Sequence, residues 1–158
     1  MSNKALLDSS ILIEYRKGSN KDLLNAMIKD PNWMLYVNQT IVSEYLFHHL
    51  AIFGGKAPRT LKESGAIGAI LQSHDPLPFL NLFEWLSDEF LSAQWVVEMM
   101  IRYNLLPNDA RIICSSMQHG FEAFVSLDPD FVQPCLKENL VLIQSLADFT
   151  NFQQPKGI

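Results

Sequence analysis

Cysteine, long apolar runs and positive charge are all scarce in this sequence of 158 residues. The two cysteines, Cys114 and Cys135, are too few for a disulfide framework or a zinc knuckle. No uncharged run approaches the ~18 apolar residues of a membrane span, and no secretory signal is visible before Asp8. Because 12 lysines and arginines face 17 acids, the formal net charge is −5, which by itself disfavours a nucleic-acid partner. We therefore expect a reduced, cytoplasmic, acidic domain.

Several common catalytic and nucleotide-binding motifs are also missing. No GxGxxG follows a strand, and the segment Gly54-Gly55-Lys56-Ala57 lacks both the upstream glycine and the Ser or Thr of a phosphate-binding loop. No GxSxG nucleophile elbow and no HExxH zinc motif occurs. What remains as candidate chemistry is a set of acidic residues.

The apolar patterning predicts one α/β domain. At 48% hydrophobic residues the chain can bury a core. Four short apolar runs predict strands: Lys4–Asp8, Met34–Asn38, Ala123–Leu127 and Leu140–Ile143. Because helix-like segments separate them, we expect a mostly parallel central sheet with helices on both faces, a three-layer α/β/α arrangement. Residues 1–150 would form the domain, and 151–158 a polar C-terminal tail.

The helical segments are bounded by recognisable start and stop signals. Lys21–Ile28 has the helical period of apolar residues. Thr40 is a plausible N-cap for a helix that stops near Gly54-Gly55, and Pro107 suits the first turn of a helix ending at Gly120. Leu61–Gln72 and the long aromatic-rich stretch Leu80–Tyr103 are also read as helix-like.

Four acids fall where parallel α/β sheets place ligands, at strand ends and helix starts. Asp8 and Asp128 end the first and third predicted strands, Glu44 lies one turn inside a helix, and Asp109 lies in a first helical turn. Each has an ordinary alternative role in a turn or beside a helix dipole. However, all four lie in apolar surroundings, where an acid is costly unless it is paired or bound to a cation.

Three segments carrying these acids resemble the signature blocks of PIN domains: Leu6–Tyr15 (LLDSSILIEY), Thr40–Phe47 (TIVSEYLF) and Leu105–Phe131. In the family an Asp followed by a short hydroxyl residue ends the first strand, and a Ser or Thr precedes the Glu. The third block runs from an Asp through small apolar residues and a Gly to a strand ending in Ser, one residue, then Asp. Asp8-Ser9-Ser10, Ser43-Glu44, and the series Asp109, Gly120, Ser126 and Asp128 match this order.

The resemblance implies a small metal-dependent ribonuclease, and single-domain bacterial members are mostly VapC-like toxins of toxin–antitoxin pairs. Asp8, Glu44, Asp109 and Asp128 would then form the catalytic cluster around Mg²⁺ or Mn²⁺, whose preferred ligands are oxygens. Asp8 would be a direct ligand, Asp109 and Asp128 would hold a first or second ion, and Glu44 would bind through water or act as the base.

Neighbouring residues could support that cluster. Ser9 and Ser126 are candidates to orient the carboxylates by hydrogen bonds. Asp130 could assist or replace Asp128, or serve only in the turn after Pro129. His48, one helical turn after Glu44, could share a metal, although a place on the helix face is the more common role.

The 64 residues between Glu44 and Asp109 match no PIN signature. Lys56, Arg59 and Lys62 cluster there and could hold RNA phosphates, or could form a solvated loop. Surplus apolar side chains in Leu80–Tyr103 could cover a homodimer surface or bind an antitoxin helix.

Three functions fit these observations. The first is a metal-dependent endoribonuclease, plausibly a toxin; the second is a non-catalytic PIN-like module that binds RNA or protein; the third is another divalent-metal phosphoesterase. Without the four clustered acids, the remaining 13 acidic residues nearly balance the 12 basic ones. The net charge is therefore compatible with an RNA substrate.

Overall fold

A computed structural model describes residues 2–88 and 90–153, and its central element is a parallel five-stranded sheet. The strand order is β3-β2-β1-β4-β5, and every pairing is parallel. The strands are β1 (Asn3–Leu7), β2 (Trp33–Asn38), β3 (Glu84–Leu86), β4 (Ala123–Val125) and β5 (Leu142–Ile143). The predicted three-layer α/β/α fold is confirmed.

Helices occupy most of the connections between the strands. They are α1 (Ser9–Lys17), α2 (Lys21–Lys29), α3 (Gln39–Gly54), α4 (Pro58–Glu63), α5 (Ile67–Ser73), α6 (Leu77–Leu80), α7 (Ala93–Tyr103), α8 (Pro107–His119), α9 (Val132–Lys137) and α10 (Leu146–Gln153). A 3-10 turn, Pro129–Phe131, follows β4. In the part of the chain that the structure describes, no helix is both long and apolar enough to cross a bilayer.

The central strands are buried on both faces, which explains their unbroken apolar sequence. Ala5, Leu6 and Leu7 of β1 have no exposed surface, and Leu6 aligns with Tyr36 of β2 on one side and Phe124 of β4 on the other. Because all strands are parallel, the carboxyl ends of β1, β2 and β4 meet along one edge of the sheet. The residues that follow these three strands are therefore brought together.

The start of α3 differs from the prediction. Its N-cap is Asn38, whose Oδ1 accepts a hydrogen bond from the backbone amide of Ile41 at 2.9 Å. Thr40 lies inside the helix, and its buried hydroxyl has no hydrogen-bond partner among the described residues. The sequence predicts Asn38 only as the end of the strand, but an Asn at that point can both end the strand and cap the helix.

The segment between Glu44 and Asp109 is more broken than predicted. Leu61–Gln72 is interrupted after α4, where Gly65 adopts a φ of 70° that ends the helix. Leu80–Tyr103 is only partly helical, because Glu84–Leu86 form β3 at the sheet edge and α7 begins at Ala93. A three-residue edge strand has too few positions to show an alternating pattern.

At the C-terminus, α10 continues to Gln153, and residues 154–158 of the predicted tail lie outside the described residues. The division of the chain at residue 150 stays a prediction.

Candidate active site

Asp8 lies at the centre of a hydroxyl network below the carboxyl edge of the sheet. It follows β1, caps α1, and is only 3% exposed. Its Oδ2 accepts hydrogen bonds from the hydroxyls of Ser10 at 2.6 Å and Ser126 at 2.8 Å. Burial raises the pKa of Asp8, and the hydrogen bonds from Ser10 and Ser126 oppose that rise. The carboxyl group is thus held in one orientation, and no ion pair within residues 2–88 and 90–153 neutralises it.

Glu44 is held by contacts from two other elements. Its Oε2 accepts a hydrogen bond from the hydroxyl of Ser9 on α1, and its Oε1 accepts one from Nδ2 of Asn108 on α8, each at 2.8 Å. Glu44 is half-buried. The two bonds fix this side chain between the starts of α1 and α8.

The pKa of Asp109 is raised by its surroundings. Burial, followed by the negative charges of Asp8, Glu44, Asp128 and Asp130, raises the pKa of Asp109 from 3.8 to about 6. Like charges raise a carboxyl pKa in this way only when they lie close by. The four predicted acids and Asp130 therefore share one electrostatic environment.

Asp128 and Asp130 form a local turn beside this group. The backbone amide of Asp128 donates to the Ser126 hydroxyl at 3.0 Å, and the backbone amide of Asp130 donates to Oδ1 of Asp128 at 2.9 Å. Asp130 is exposed in the 3-10 turn. Its contacts match the turn role, while its charge also acts on Asp109.

A surface cavity of about 480 Å³ gives access to the acids. Glu44, Asp109 and Asp128 line it together with Ser9, Ser43, Phe47, His48 and Asn108. Asp8 does not line it but is connected through Ser9, its neighbour, which bonds to Glu44. His48 is exposed and lines the same cavity as Glu44, and its metal role stays a prediction.

The donor chemistry of this cavity fits a hard divalent cation. All four acids offer oxygen ligands, and none takes part in an ion pair found among the described residues, which are Lys17–Glu14, Arg59–Glu63 and Arg102–Glu138. Across residues 2–88 and 90–153, however, no three His, Cys, Asp or Glu side chains are close enough to hold a metal by themselves. Metal binding by these residues stays a prediction.

Three supporting groups were not assigned roles from the sequence. Ser10 donates to Asp8 and also accepts the backbone amide of Leu127 at 3.0 Å, and Asn108 donates to Glu44. Ser10 and Asn108 lie close in sequence to Asp8 and Asp109, so their positions could have indicated that they support the site. Asp88 had no such signal because it follows β3, which was not predicted.

Asp88 belongs to a second polar network that joins the helices of the site. The buried Ser115 hydroxyl donates to Oδ1 of Asp88 and accepts from Nδ2 of Asn38 at 3.3 Å. Asn38 caps α3, which carries Glu44, whereas Ser115 lies on α8, which carries Asp109. The network therefore connects the two helices below the acidic cavity.

The predicted basic residues lie in and beside a second cavity of about 540 Å³. Arg59 and Lys62 of α4 line it, and Lys56 is exposed in the connection before α4. Arg59 forms an exposed ion pair with Glu63 at 3.2 Å. Phe47 lines both this cavity and the acidic one, so the two adjoin.

The surplus apolar side chains of Leu80–Tyr103 divide between core and surface. Phe83 and Met99 are buried, as the ordinary core interpretation requires, and Trp95 and Met100 are partly buried against the core. Trp85 and Phe90 are 61% and 78% exposed. Only part of this stretch is therefore available to a partner.

Comparisons with known proteins agree with the fold. No family model matches the chain. A curated relative, "Ribonuclease VapC6" of Methanocaldococcus jannaschii, is 26% identical over 140 residues, which cover 82% of this chain and 91% of that protein. The resemblance to VapC-like PIN domains is confirmed.

Solved structures show the same fold at low identity. A toxin–antitoxin complex from Klebsiella pneumoniae contains a chain with a TM-score of 0.52 and 17% identity, covering 81% of this chain and 90% of that one. VapBC2 from Rickettsia felis, bound to a DNA fragment from its promoter, gives a TM-score of 0.58 at 14% identity. The match covers 89% of this chain and 97% of that chain. PAE2754 from Pyrobaculum aerophilum gives a TM-score of 0.58 at 15% identity, and the match covers 96% of this chain and 91% of that chain.

The PIN-like fold explains why three separate blocks carry the acids. The first block is the end of β1 with α1, the second is the start of α3, and the third is α8 with β4 and the following turn. The unmatched segment supplies α4 to α7 and the edge strand β3. It therefore adds an edge strand next to β2, and its Asp88 contacts α8 through Ser115.

Proposed function

We propose that this chain is a divalent-metal-dependent endoribonuclease that hydrolyses RNA phosphodiester bonds as the toxin of a toxin–antitoxin pair. The observation that carries the proposal is that Glu44, Asp109 and Asp128, from three separate elements, line one cavity next to the buried Asp8. Burial and the neighbouring negative charges raise the pKa of Asp109 to about 6, which agrees with this arrangement. Similarity to the curated relative named a ribonuclease supports the activity.

The proposed roles follow from where each acid is held. Asp8, Asp109 and Asp128 would hold Mg²⁺ or Mn²⁺, with Asp8 as the direct ligand that Ser10 and Ser126 orient. Glu44 would bind through water or accept the proton of the attacking water, with its carboxylate positioned by Ser9 and Asn108. When bound, the metal would supply Lewis-acid activation of the phosphate and of the attacking water.

Lys56, Arg59 and Lys62 are proposed to hold phosphates of the RNA next to the cleaved bond. Their location beside the acidic cavity supports this, since an RNA strand needs cationic contacts where the acidic site repels it.

The proposed protein partner is a small antitoxin, and the chain is proposed to form a homodimer. The support is the presence of toxin–antitoxin complexes among the similar structures and the exposure of Trp85 and Phe90. A cytoplasmic location stays a prediction from sequence.

The decisive experiment measures cleavage of an RNA pool by the purified chain with Mg²⁺ or Mn²⁺. We expect cleavage that EDTA abolishes and that Asp8→Asn removes, since an Asn there can still cap α1 but lacks the charge. Asp22→Asn, an exposed first-turn acid on α2, is the matched control and should retain activity. Full metal-dependent cleavage by Asp8→Asn would refute the assignment.

The alternative is a non-catalytic PIN-like module that binds RNA or a protein. It predicts RNA affinity, or partner binding, without cleavage in any metal. Parallel assays on DNA and on a small phosphodiester separate a ribonuclease from the third reading, a general metal phosphoesterase.

A further inference from the structure

Phe47 is an aromatic side chain left in solvent beside the acidic cavity. It is 58% exposed, and it lies three residues after Glu44 on α3, so the two side chains project from the same face of the helix. Its ring contacts that of the exposed His48 edge to face, with 5.9 Å between the ring centroids. Its packing therefore does little for the core, and most of its ring surface is free for a ligand.

Phe47 is the side chain that the acidic and basic cavities have in common. On one side lie Glu44, Asp109 and Asp128; on the other lie Arg59, Lys62 and the apolar side chain of Leu50. Glu63 also lines the basic cavity and offsets the charge of Arg59, which leaves Lys62 without an ion-pair partner among the described residues. The surface thus passes from carboxylates through a flat apolar ring to cationic groups.

This order of groups is complementary to a nucleotide chain. Single strands alternate anionic phosphates with flat bases, and proteins bind them with aromatic stacking platforms next to cationic grooves. If a cation neutralised the carboxylates of the acidic cavity, a phosphate of the RNA could bind there. The base next to that phosphate would then lie near Phe47, and the following phosphate would lie at the basic cavity. An apolar peptide without acidic side chains would leave the cationic groups of this surface unpaired.

We propose that Phe47 is a stacking site for one unpaired nucleobase of the RNA, next to the phosphate that is cleaved. This inference rests on the proposed function, and it assigns a base-binding subsite on the Arg59 and Lys62 side. It also implies that the nucleotide at this position must be unpaired, because a base in a duplex presents no free face to the ring.

The test uses the full chain carrying Asp8→Asn, which prevents cleavage. Its affinity for an unstructured, fluorescently labelled RNA oligonucleotide is measured by fluorescence anisotropy. Phe47→Leu keeps an apolar side chain but removes the aromatic face, and it should weaken binding about five- to 150-fold. Phe47→Trp should bind at least as well as the parent. Leu136→Ala removes an exposed apolar side chain on α9, outside both cavities, and should have no effect.

An abasic scan identifies the contact directly. When one nucleotide of the oligonucleotide lacks its base, the loss caused by Phe47→Leu should disappear at one position only. Equal affinities of the Phe47 variants, or a loss that no abasic position removes, would overturn the stacking site. A Phe47→Leu variant that keeps its RNA affinity but changes its oligomeric state would assign the ring to a protein interface instead.

The outcomes also separate this inference from the proposed function. If the unmodified chain cleaves RNA and Phe47→Leu binds it normally, the stacking site fails alone. If RNA is bound through Phe47 but never cleaved, the nuclease assignment fails and the stacking site stands. If RNA is neither bound nor cleaved, both are wrong.

Discussion

The hydroxyl of Ser126, at the end of β4, donates a hydrogen bond to Oδ2 of Asp8, at the end of β1, across 2.8 Å. The same hydroxyl accepts the backbone amide of Asp128 at 3.0 Å. A single buried oxygen thus joins two of the proposed metal-binding acids. The adjacent parallel pairing of β1 and β4 makes this contact possible.

Removing that hydroxyl should weaken both metal binding at the site and the stability of the fold. Ser126→Ala leaves the buried carboxylate of Asp8 with fewer donors, and we expect Mn²⁺ affinity, measured by calorimetry, to fall about 10- to 100-fold. The free energy of unfolding should fall by about 1–3 kcal/mol. Ser116→Ala is the control, because its buried hydroxyl has no partner among the described residues. Similar results for both variants would contradict the orienting role of Ser126.

Relieving the repulsion at Asp109 should stabilise the metal-free protein. Because burial and neighbouring acids disfavour its charge, Asp109→Asn should raise the free energy of unfolding in EDTA at neutral pH by about 1 kcal/mol, after allowance for solvent screening. Urea unfolding measures this change. Asp22→Asn also removes a first-turn acid but relieves no such repulsion, so it should be neutral or slightly destabilising. A loss of stability in Asp109→Asn would argue against the acidic cluster.

Asn38 should matter more than Thr40 for the stability of α3. Asn38→Ala removes the cap on Ile41 and the bond to Ser115, and we expect a loss of about 1–2 kcal/mol in denaturant unfolding. Thr40→Val replaces a buried hydroxyl that has no partner among the described residues with a methyl group of similar size, and it should not lower the free energy of unfolding. The reverse order would restore Thr40 as the cap.

His49 should make stability depend on pH in mild acid. Its Nε2 faces the backbone carbonyl oxygen of His74 at 2.7 Å and must carry the hydrogen, so Nδ1 is free to accept from the Tyr45 hydroxyl at 3.2 Å. Burial lowers the pKa of His49, against the opposing effect of the His74 carbonyl. The unfolded chain therefore binds the proton first, and stability should decline as pH falls below about 6.5.

Denaturant unfolding between pH 7 and pH 5 measures this dependence. His49→Gln should be less stable at pH 7 but should lack the histidine part of the decline, whereas His48→Gln, at an exposed site, should retain it. A decline of equal size in the His49 variant would assign it to other groups.

Neutralising the basic residues beside the site should change how RNA binding responds to salt. Replacing Lys56, Arg59 and Lys62 together with Gln should reduce the slope of log affinity against log salt by up to about 2, at about 0.7 for each phosphate contact. The control replaces three other exposed lysines, Lys4, Lys29 and Lys137. An unchanged slope in the first variant would exclude these residues from phosphate binding.

Much of the fold could be predicted because its signals are local. Each buried strand of β1, β2, β4 and β5 overlaps an apolar run, and α8 begins at Pro107 and is capped at Gly120, as predicted. The edge strand β3 could not be found in this way, because its three residues, Glu84 to Leu86, are exposed or partly exposed and owe their conformation to pairing with β2. Asp88 was missed with it.

The sequence by itself determined which acids follow buried strands or open helices, since burial patterns and helix-terminal residues are properties of short segments. It therefore placed Asp8, Glu44, Asp109 and Asp128 at one edge of a parallel sheet. The sequence also named Ser9 and Ser126 as groups that would orient these carboxylates, but only the tertiary structure decided which long-range hydrogen bonds form around the site. The bonds of Ser126 to Asp8, Asn108 to Glu44 and Ser115 to Asp88 join residues 118, 64 and 27 positions apart. Such contacts, and the raised pKa of Asp109 that results from burial and shared charge, exist only once distant segments pack together.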